Sequence, residues 1–473
     1  MTVPTTSPAP HPGGPLPGGP LPGARAPDPV ADPGPRPAVG EADRGPDRGR
    51  VVIVGQGYVG LPLAMRAVAV GYHVVGLDSD HGRVKRLGAG ESFVTDVSSE
   101  EVRRALATGR YQVTTDEADC RDFDVAVIDV PTPLRDGVPD LSHVEQAADM
   151  LARHLRPGVL VILESTTYPG TTEELVGPRL SAASGLEPGV DFHLGYSPER
   201  VDPGNARWTL VNTPKVVSGV NAASLAAVQG FFETLVDRTV PVAGTREAEL
   251  TKLLENTFRH VNVALVNELA VYANDLGIDI WAAVGAAATK PFGFMSFTPG
   301  PGVGGHCLPI DPSYLSWRVR RSLGQTFRFV ELANDINDHM PEYVVKRLAE
   351  GLNRMTMPIK GSRILVLGIA YKRNTGDARQ SPGRAIVQLL RRSGAVVRVA
   401  DPHVAEVGLP DDGFDDDGMP ALLVELGAEE IRAADAVVVV TDHDAFDFEL
   451  VGRWAGYVLD TRGRIDGPNV ERL

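Results

Sequence analysis

Val51-Val52-Ile53-Val54-Gly55-Gln56-Gly57-Tyr58-Val59-Gly60 is the stretch that decides the fold. Four consecutive β-branched apolar residues read as a strand buried on both faces, the pattern of a parallel sheet. The glycines at 55, 57 and 60 have G-x-G-x-x-G spacing, which alone is a weak signal. Here they follow a buried strand and open a helical pattern from Leu61 to Val70. A second strand, His73-Val74-Val75-Gly76-Leu77, then ends on Asp78. In that setting Gly55 permits a tight turn, Gly57 lets a diphosphate approach the backbone, and Gly60 lets helix pack on strand. The helix N-terminus would face that diphosphate with free N–H groups and the positive end of its dipole. Asp78 would accept hydrogen bonds from ribose hydroxyls and repel a 2′-phosphate, so the expected dinucleotide is NAD rather than NADP.

Working outward, strand-like runs recur at Val125–Ile128 and Val159–Leu163, separated by helix-like stretches, and such alternation means a doubly wound α/β domain. From about Glu247 to Leu276 the pattern changes. Leu250, Leu253, Leu254, Thr257, Val261, Ala264, Leu265 and Leu269 recur at helical spacing, and Gly277 is a suitable stop. A loop rich in Gly and Pro runs from Lys290 to Pro312. A third region opens on Arg363-Ile364-Leu365-Val366-Leu367-Gly368, passes through a helix from Arg384 to Ser393, and continues through Val396–Val399 and Ala436–Val440. The expected fold class is therefore α/β, two Rossmann-like doubly wound domains joined by a long central helix. The expected division is an NAD-binding domain over 50–246, a central helical domain over 247–345 and a second Rossmann-like domain over 346–473. Residues 1–49 are dominated by Pro, Gly, Ala and Asp. They cannot bury enough apolar surface to offset their ordering entropy, and read as a disordered tail.

Of the 473 residues, 43% are hydrophobic and 23% charged, as in a soluble protein with well-buried cores. No apolar run approaches the roughly 18 residues needed to span a bilayer. The N-terminus has Pro and Gly where a signal peptide would have a basic stretch and an apolar core, so export is not expected. A net charge of -15 argues against nucleic acid or an anionic membrane as partner, since both select basic faces. Two cysteines, Cys120 and Cys307, give no disulfide framework, which fits a reducing cytoplasm.

Cys307 ends the run Pro299-Gly300-Pro301-Gly302-Val303-Gly304-Gly305-His306-Cys307-Leu308-Pro309-Ile310-Asp311-Pro312. A structural Cys usually sits in an apolar element, whereas glycines here would let a substrate approach the backbone and free N–H groups stabilise an oxyanion. Asp311, four residues on, is near enough to work with the thiol or to order a water. A catalytic and a structural thiol both remain open at this point. Lys252 and Asn256, at i and i+4, share one face of the central helix. They fit a solvated flank or a ligand-facing pair, and Glu199-Arg200 fits a surface ion pair equally well. His306 has no second ligand pair at zinc spacing, and Asp442-His443-Asp444 reads as a solvated loop at a strand end, so no metal site is expected.

From about Arg50 onward the chain resembles the UDP-glucose/GDP-mannose dehydrogenase family. The resemblance is carried by Gly55–Gly60, Val130-Pro131-Thr132-Pro133-Leu134, Glu164-Ser165-Thr166, Lys252-Leu253-Leu254-Glu255-Asn256, Gly304-Gly305-His306-Cys307, Tyr371-Lys372 and Arg379. Within the family it is most similar to the branch that oxidises UDP-N-acetylglucosamine at C6. That likeness rests on Glu164–Thr172, Tyr196–Asn205 and Ala288–Phe294. Members acting on UDP-glucose usually carry a second glutamate four residues after the position of Glu199, where this chain has Pro203.

The resemblance implies a two-stage oxidation of a primary alcohol to a carboxylate with two successive NAD molecules and Cys307 as nucleophile. Lys252 and Asn256 would stabilise oxyanions, and Asp311, Thr166 and Glu199 would position water and accept protons. Gly55, Gly57, Tyr58, Val59, Gly60, Asp78, Arg83, Thr132, Thr166 and Arg379 would line the NAD site. Glu199, Arg200, Lys252, Asn256, Lys290, Phe292, Gly304 and Lys372 would hold the UDP-sugar, with the uridine diphosphate on the C-terminal domain and the central helix at the core of a homodimer. Two departures stand out. Gln380 replaces a common Glu, which affects local ion pairing, and Asp129 stands where a small apolar residue is common, close to the expected cofactor. A two-electron dehydrogenase or epimerase would need neither Cys307 nor the third region, and an inactive binding relative would be expected to have lost the nucleophile or the lysine.

Overall fold

The computed structural model describes residues 47–94, 96–135, 137–202, 205, 207–305, 308–404 and 422–473. His306, Cys307 and Pro203 lie outside the described residues, as does the expected tail as far as residue 46. The last residues assigned to that tail already join the fold: the Arg48 amide donates to Gly71 O at 3.3 Å, and Gly49 O accepts from the His73 amide at 2.9 Å.

The N-terminal sheet contains β1 (Arg50–Val54), β2 (His73–Leu77), β3 (Tyr111–Thr114), β4 (Val125–Ile128), β7 (Leu160–Leu163), β8 (His193–Tyr196), β9 (Lys215–Gly219) and β10 (Thr239–Pro241), with a small hairpin of β5 (Leu134–Arg135) and β6 (Val138–Pro139) beside it. Its spatial order is β10-β9-β8-β7-β4-β1-β2-β3, and every pair is parallel except β8 with β9, where Tyr196 faces Ser218. The β-branched run at 51–54 explains why β1 lies in the middle. Val52 and Val54 enter the apolar core on one face of the sheet, and Val51 and Ile53 enter the core on the other. A strand apolar on both faces is stable only where helices cover both.

The C-terminal sheet repeats this plan with β11 (Arg363–Leu367), β12 (Val396–Ala400), β13 (Leu422–Leu423), β14 (Ala436–Val439), β15 (Val458–Asp460) and β16 (Val470–Arg472), all parallel in the order β13-β12-β11-β14-β15-β16. Again alternate residues of the central strand divide between two cores, Ile364 and Val366 in one, Leu365 and Leu367 in the other. In both sheets the order of strand addition reverses beside the first strand, between β1 and β4 and between β11 and β14. Crevices at such switch points are where ligands bind in open α/β sheets.

The central helix Thr245–Asp275 is 31 residues long, and Gly277 follows it with φ +68. It pairs with the helix Arg328–Arg354 through a buried polar ladder. His260 Nε2 lies 2.7 Å from Asn334 Oδ1, and Asn267 Nδ2 donates to Asn337 Oδ1 at 2.9 Å. Asn267 Oδ1 also accepts from the Gly300 amide at 2.9 Å, which ties the Gly-rich loop to the helix. The apolar positions read as one stripe divide between two faces. Leu253, Thr257 and Ala264 are buried, but Leu250, Leu254, Leu265 and Leu269 are 41–62% exposed.

The segment Asp442-His443-Asp444 differs from the expected solvated loop. His443 is fully buried, with Nε2 3.1 Å from Asp401 Oδ2 and its ring packed against Phe446 and His403. Burial would raise the Asp401 carboxyl, but His443 and the backbone amides of Ile369 and His403 hold it down at about 2. The local sequence is polar and Asp444 is exposed, yet long-range pairing buries His443. No helix among the described residues is long and apolar enough to cross a membrane.

Candidate active site

The dinucleotide cradle is built by the turn after β1. Gly55 has φ +100, and a methyl group built on it would lie 1.9 Å from Asp129 O, so no other residue fits. A methyl on Gly60 would lie 2.0 Å from Gly55 O, which is the close packing of helix Gly60–Ala69 on the turn. Gly57 has open space where its Cβ would be. That gap, at a helix N-terminus, is the room a diphosphate needs, so the residues present fit the expected group. Asp78 at the end of β2 accepts from the Gln56 amide at 2.9 Å and from the Asp80 amide at 2.9 Å, which aims its carboxylate at the turn. Arg83 Nη1 lies 3.6 Å from Asp78.

The other wall of the crevice comes from further along the chain. Thr132 Oγ1 donates to Thr166 O at 2.9 Å, and Tyr314 OH donates to Thr132 O at 2.7 Å. Arg379, from the C-terminal region, is held by Asp377 at 2.8 Å and lies close enough to exposed Tyr58 to feel its phenol. The ion pairing left open by Gln380 is thus supplied by Asp377, and Gln380 itself takes φ +49. Asp129 sits beneath the turn, where burial and the neighbouring Glu164 and Glu199 push its carboxyl well above the usual range.

Beyond the crevice, side chains from several segments converge. Lys252 Nζ donates to Glu199 O at 2.6 Å, and Asn256 Nδ2 donates to Asp311 Oδ2. Lys252 and Asn256 are therefore an inward-facing pair and not a solvated flank. Burial pushes the Asp311 carboxyl up to about 6, with Lys252 and Asn256 pulling it down. Glu199 does not pair with its neighbour. Arg200 reaches Glu255 at 2.7 Å instead, while Glu199 turns inward to Lys215. Lys372 bridges the two halves by donating to Asp202 at 2.6 Å, and this partner keeps the Asp202 carboxyl below its ordinary value despite burial. A methyl on Gly304 would lie 2.7 Å from Gln380 O, so the Gly-rich loop is pressed against the C-terminal region. Lys290 and Phe292 stand apart on an exposed stretch, the Lys290 ammonium 5.0 Å over the Phe292 ring.

Sequence reasoning missed Lys215 and Asp202, and used Glu164 only as part of a motif. A lone lysine opening an apolar strand was the available signal for the first. Cys120 is fully buried, and burial pushes its thiol up to about 12, which makes it an inert core residue. Among the described residues no group of three His, Cys, Asp or Glu side chains is arranged to hold a metal ion.

Three family models match in order: the NAD binding domain of the UDP-glucose/GDP-mannose dehydrogenase family over residues 49–236, its central domain over 246–339 and its UDP binding domain over 365–467. The chain belongs to this family. It is a nucleotide-sugar dehydrogenase of the UDP-glucose/GDP-mannose dehydrogenase family, with NAD as its cofactor. UDP-N-acetyl-D-mannosamine dehydrogenase of Pyrococcus horikoshii is 34% identical over 427 residues, covering 89% of this chain and 97% of that protein. UDP-N-acetyl-D-glucosamine 6-dehydrogenase of Pseudomonas aeruginosa is 34% identical over 399 residues, covering 84% and 91%. Among solved structures, a UDP-glucose dehydrogenase of Pyrobaculum islandicum superposes with a TM-score of 0.79 at 28% identity, covering 92% of this chain and 98% of that one. The Pyrococcus horikoshii UDP-ManNAc dehydrogenase structure gives 0.80 at 33% identity, covering 89% and 98%.

Proposed function

We propose that this enzyme oxidises C6 of UDP-N-acetylglucosamine to the carboxylate in two steps, with Cys307 as the covalent nucleophile. The observation that carries the reading is the convergence of Lys252, Asn256, Asp311 and Glu199, with Asp311 four residues from Cys307 along the chain. Bound NAD supplies a hydride acceptor. The chain supplies the rest. A buried carboxylate takes the hydroxyl proton as the C6–H bond breaks, and Lys252 and Asn256 steady the oxygen that becomes negative. The Cys307 thiolate adds to the aldehyde, and loss of the second hydride converts the thiohemiacetal to a thioester. Asp311, with Thr166 and Glu199, directs water at the thioester carbon. The C–S bond then breaks, and the uronate leaves with the thiol restored.

Two NADH per UDP-N-acetylglucosamine, with little from UDP-glucose, is the expected stoichiometry. One NADH per sugar would end the role given to Cys307. Cys307→Ser should stop turnover, since a serine hydroxyl stays un-ionised and attacks poorly, and an alkoxide leaves far less readily than a thiolate. UDP-N-acetylmannosamine is the second reading, favoured by the 34% identical Pyrococcus horikoshii relative named for it. Run in parallel, that substrate separates the two.

The remaining assignments rest on the same reading. Gly55, Gly57, Tyr58, Val59, Gly60, Asp78, Arg83, Thr132, Thr166 and Arg379 line the cofactor crevice. Arg200, Gly304 and Lys372 serve the UDP-sugar, and Lys290 and Phe292 are assigned to it from the resemblance. The division at 50–246, 247–345 and 346–473 is the organisation we propose. The homodimer is supported by Leu254, Phe258, Leu265, Leu269, Tyr272 and Leu276, all 46–72% exposed along the central helix. A cytoplasmic location is supported by the sparse cysteines, and catalysis needs nothing from residues 1–49.

A further inference from the structure

Behind Glu199 lies a buried charge that the roles above leave unused. Lys215 opens β9 and Glu164 follows β7; they are 3% and 1% exposed. Lys215 Nζ contacts Glu164 Oε1 and lies 3.5 Å from Glu199 Oε2, and the same ammonium sits 5.0 Å over the Phe232 ring. Burying an ammonium costs several kcal/mol and is tolerated only when it is paired. One carboxylate would meet that need, and Lys215 has two. The two are held unequally. Glu164 Oε2 is buried without a hydrogen-bond partner among the described residues. Glu199 has both oxygens engaged, Oε1 by the Val201 amide and Oε2 by Lys215.

We propose that Lys215 is a positioning residue for Glu199: its buried ammonium, shared with Glu164, orients the Glu199 carboxylate and keeps it in the charged form that accepts a proton. This rests on the assignment of Glu199 as a proton acceptor in the proposed reaction. The groups facing Glu199 agree with it. Burial acts against charge on Glu199, but Lys215 on β9, the Val201 amide, Lys252 on the central helix and a hydrogen bond with the Glu164 side chain after β7 together hold its carboxyl below the usual range. Burial pushes Glu164 after β7 and Asp129 after β4 upward, so both take a proton before Glu199 does. Arg200 is occupied by Glu255. Lys215 is charged because Glu164 and Glu199 outweigh its own burial. Of the three neighbouring carboxyl groups, Glu199 is the one held below its ordinary range.

The test is the pH dependence of kcat and KM in wild type, Lys215→Met, Lys215→Arg and Glu164→Gln/Lys215→Met. In wild type one buried acid, Asp311, limits the acid side, and log kcat falls with slope one below about pH 6. Without the Lys215 cation, Glu199 also takes up a proton in that range, and the slope becomes two while KM for NAD and UDP-sugar stays within about twofold. Lys215→Arg keeps slope one. The double variant removes both buried charges, so it remains readable where the single one does not fold, and slope two is expected there as well. An equal loss of kcat at every pH, with slope one retained, overturns the inference. Glu199→Gln separates the two levels. If that variant turns over at the wild-type rate, the assignment of Glu199 itself falls. If it is slow while the lysine variants keep slope one, only the role of Lys215 is lost.

Discussion

Asn256 on the central helix donates its side-chain amide to Asp311, the first residue of the helix Asp311–Leu323 that follows the Cys307 loop. The bond joins the helix carrying Lys252 to the segment that follows Cys307, the proposed nucleophile, and it favours the charged form of Asp311. Asp311 is ionised above about pH 6 and protonated below it, because burial outweighs Lys252 and Asn256. The base role proposed for Asp311 requires the ionised form, so kcat should rise with pH through about 6 and level off above. Asp311→Asn should lower kcat by about 10²–10⁴-fold with little change in KM. Asn256→Ala removes a donor to the charged form, so the acid limb should move to higher pH. An unmoved limb in steady-state rates measured from pH 5 to 8 would refute the coupling.

The three glycines of the first turn should fail in different ways. Gly55→Ala and Gly60→Ala each put a methyl about 2 Å from a backbone oxygen, and both should lower the melting temperature sharply. Gly57→Ala meets nothing within 4 Å and should melt like wild type. Its methyl fills the space assigned to the diphosphate, so NAD affinity should drop at least tenfold, about 1.4 kcal/mol. Calorimetric melting beside an NAD titration checks all three. Wild-type NAD affinity in Gly57→Ala would remove the diphosphate from that gap.

What the sequence made legible follows from local chemistry. The run Val51–Val54 with its glycines and Asp78 specifies a strand, a turn and a helix within one short segment. The same pattern at Ile364–Gly368 announced the second sheet. The polar character of Lys252 and Asn256 was legible, but their direction was not, because an i, i+4 pair faces solvent or a site according to what packs beside it. Arg200 shows the same limit: adjacency to Glu199 suggested a pair, whereas Arg200 turns to Glu255 and Glu199 to Lys215. Lys215 and His443 were missed because their partners, Glu164 and Asp401, lie 51 and 42 residues away. Only the assembled sheet brings those charges together.

Glu249 makes the fold itself pH-dependent. It is fully buried on the central helix, and its carboxylate accepts from the Gly170 amide, the Thr172 amide at 2.8 Å and the Thr172 hydroxyl at 2.7 Å. Burial pushes its carboxyl up to about 7, against those three bonds. The folded protein therefore holds this proton more tightly than the unfolded chain does, and stability should fall as pH rises from about 4.5 to 7. The effect is at most about 3 kcal/mol, on the scale of 1.36 kcal/mol per unit. Glu249→Gln should flatten this part of the pH profile of the melting temperature. An equally steep profile in the variant would assign the slope to other groups.

The exposed face of the central helix offers the test of assembly. Leu254, Phe258, Leu265, Leu269, Tyr272 and Leu276 recur at spacings of three, four and seven, so they lie along one side of the helix. The opposite side is already spent on the helix Arg328–Arg354, through His260 and Asn267. A continuous apolar ridge of that length is costly in water, and a second copy presenting the same ridge about a twofold axis would cover it. Leu265→Glu with Leu269→Glu places two like charges on each side of such an axis. Sedimentation equilibrium should then give one chain of 50.4 kDa, and two for wild type. The variant should keep the Asn267 contact to Gly300, since those leucines point away from it, so any loss of activity would measure what the partner contributes. A wild-type protein that sediments as a single chain would leave the ridge needing another occupant.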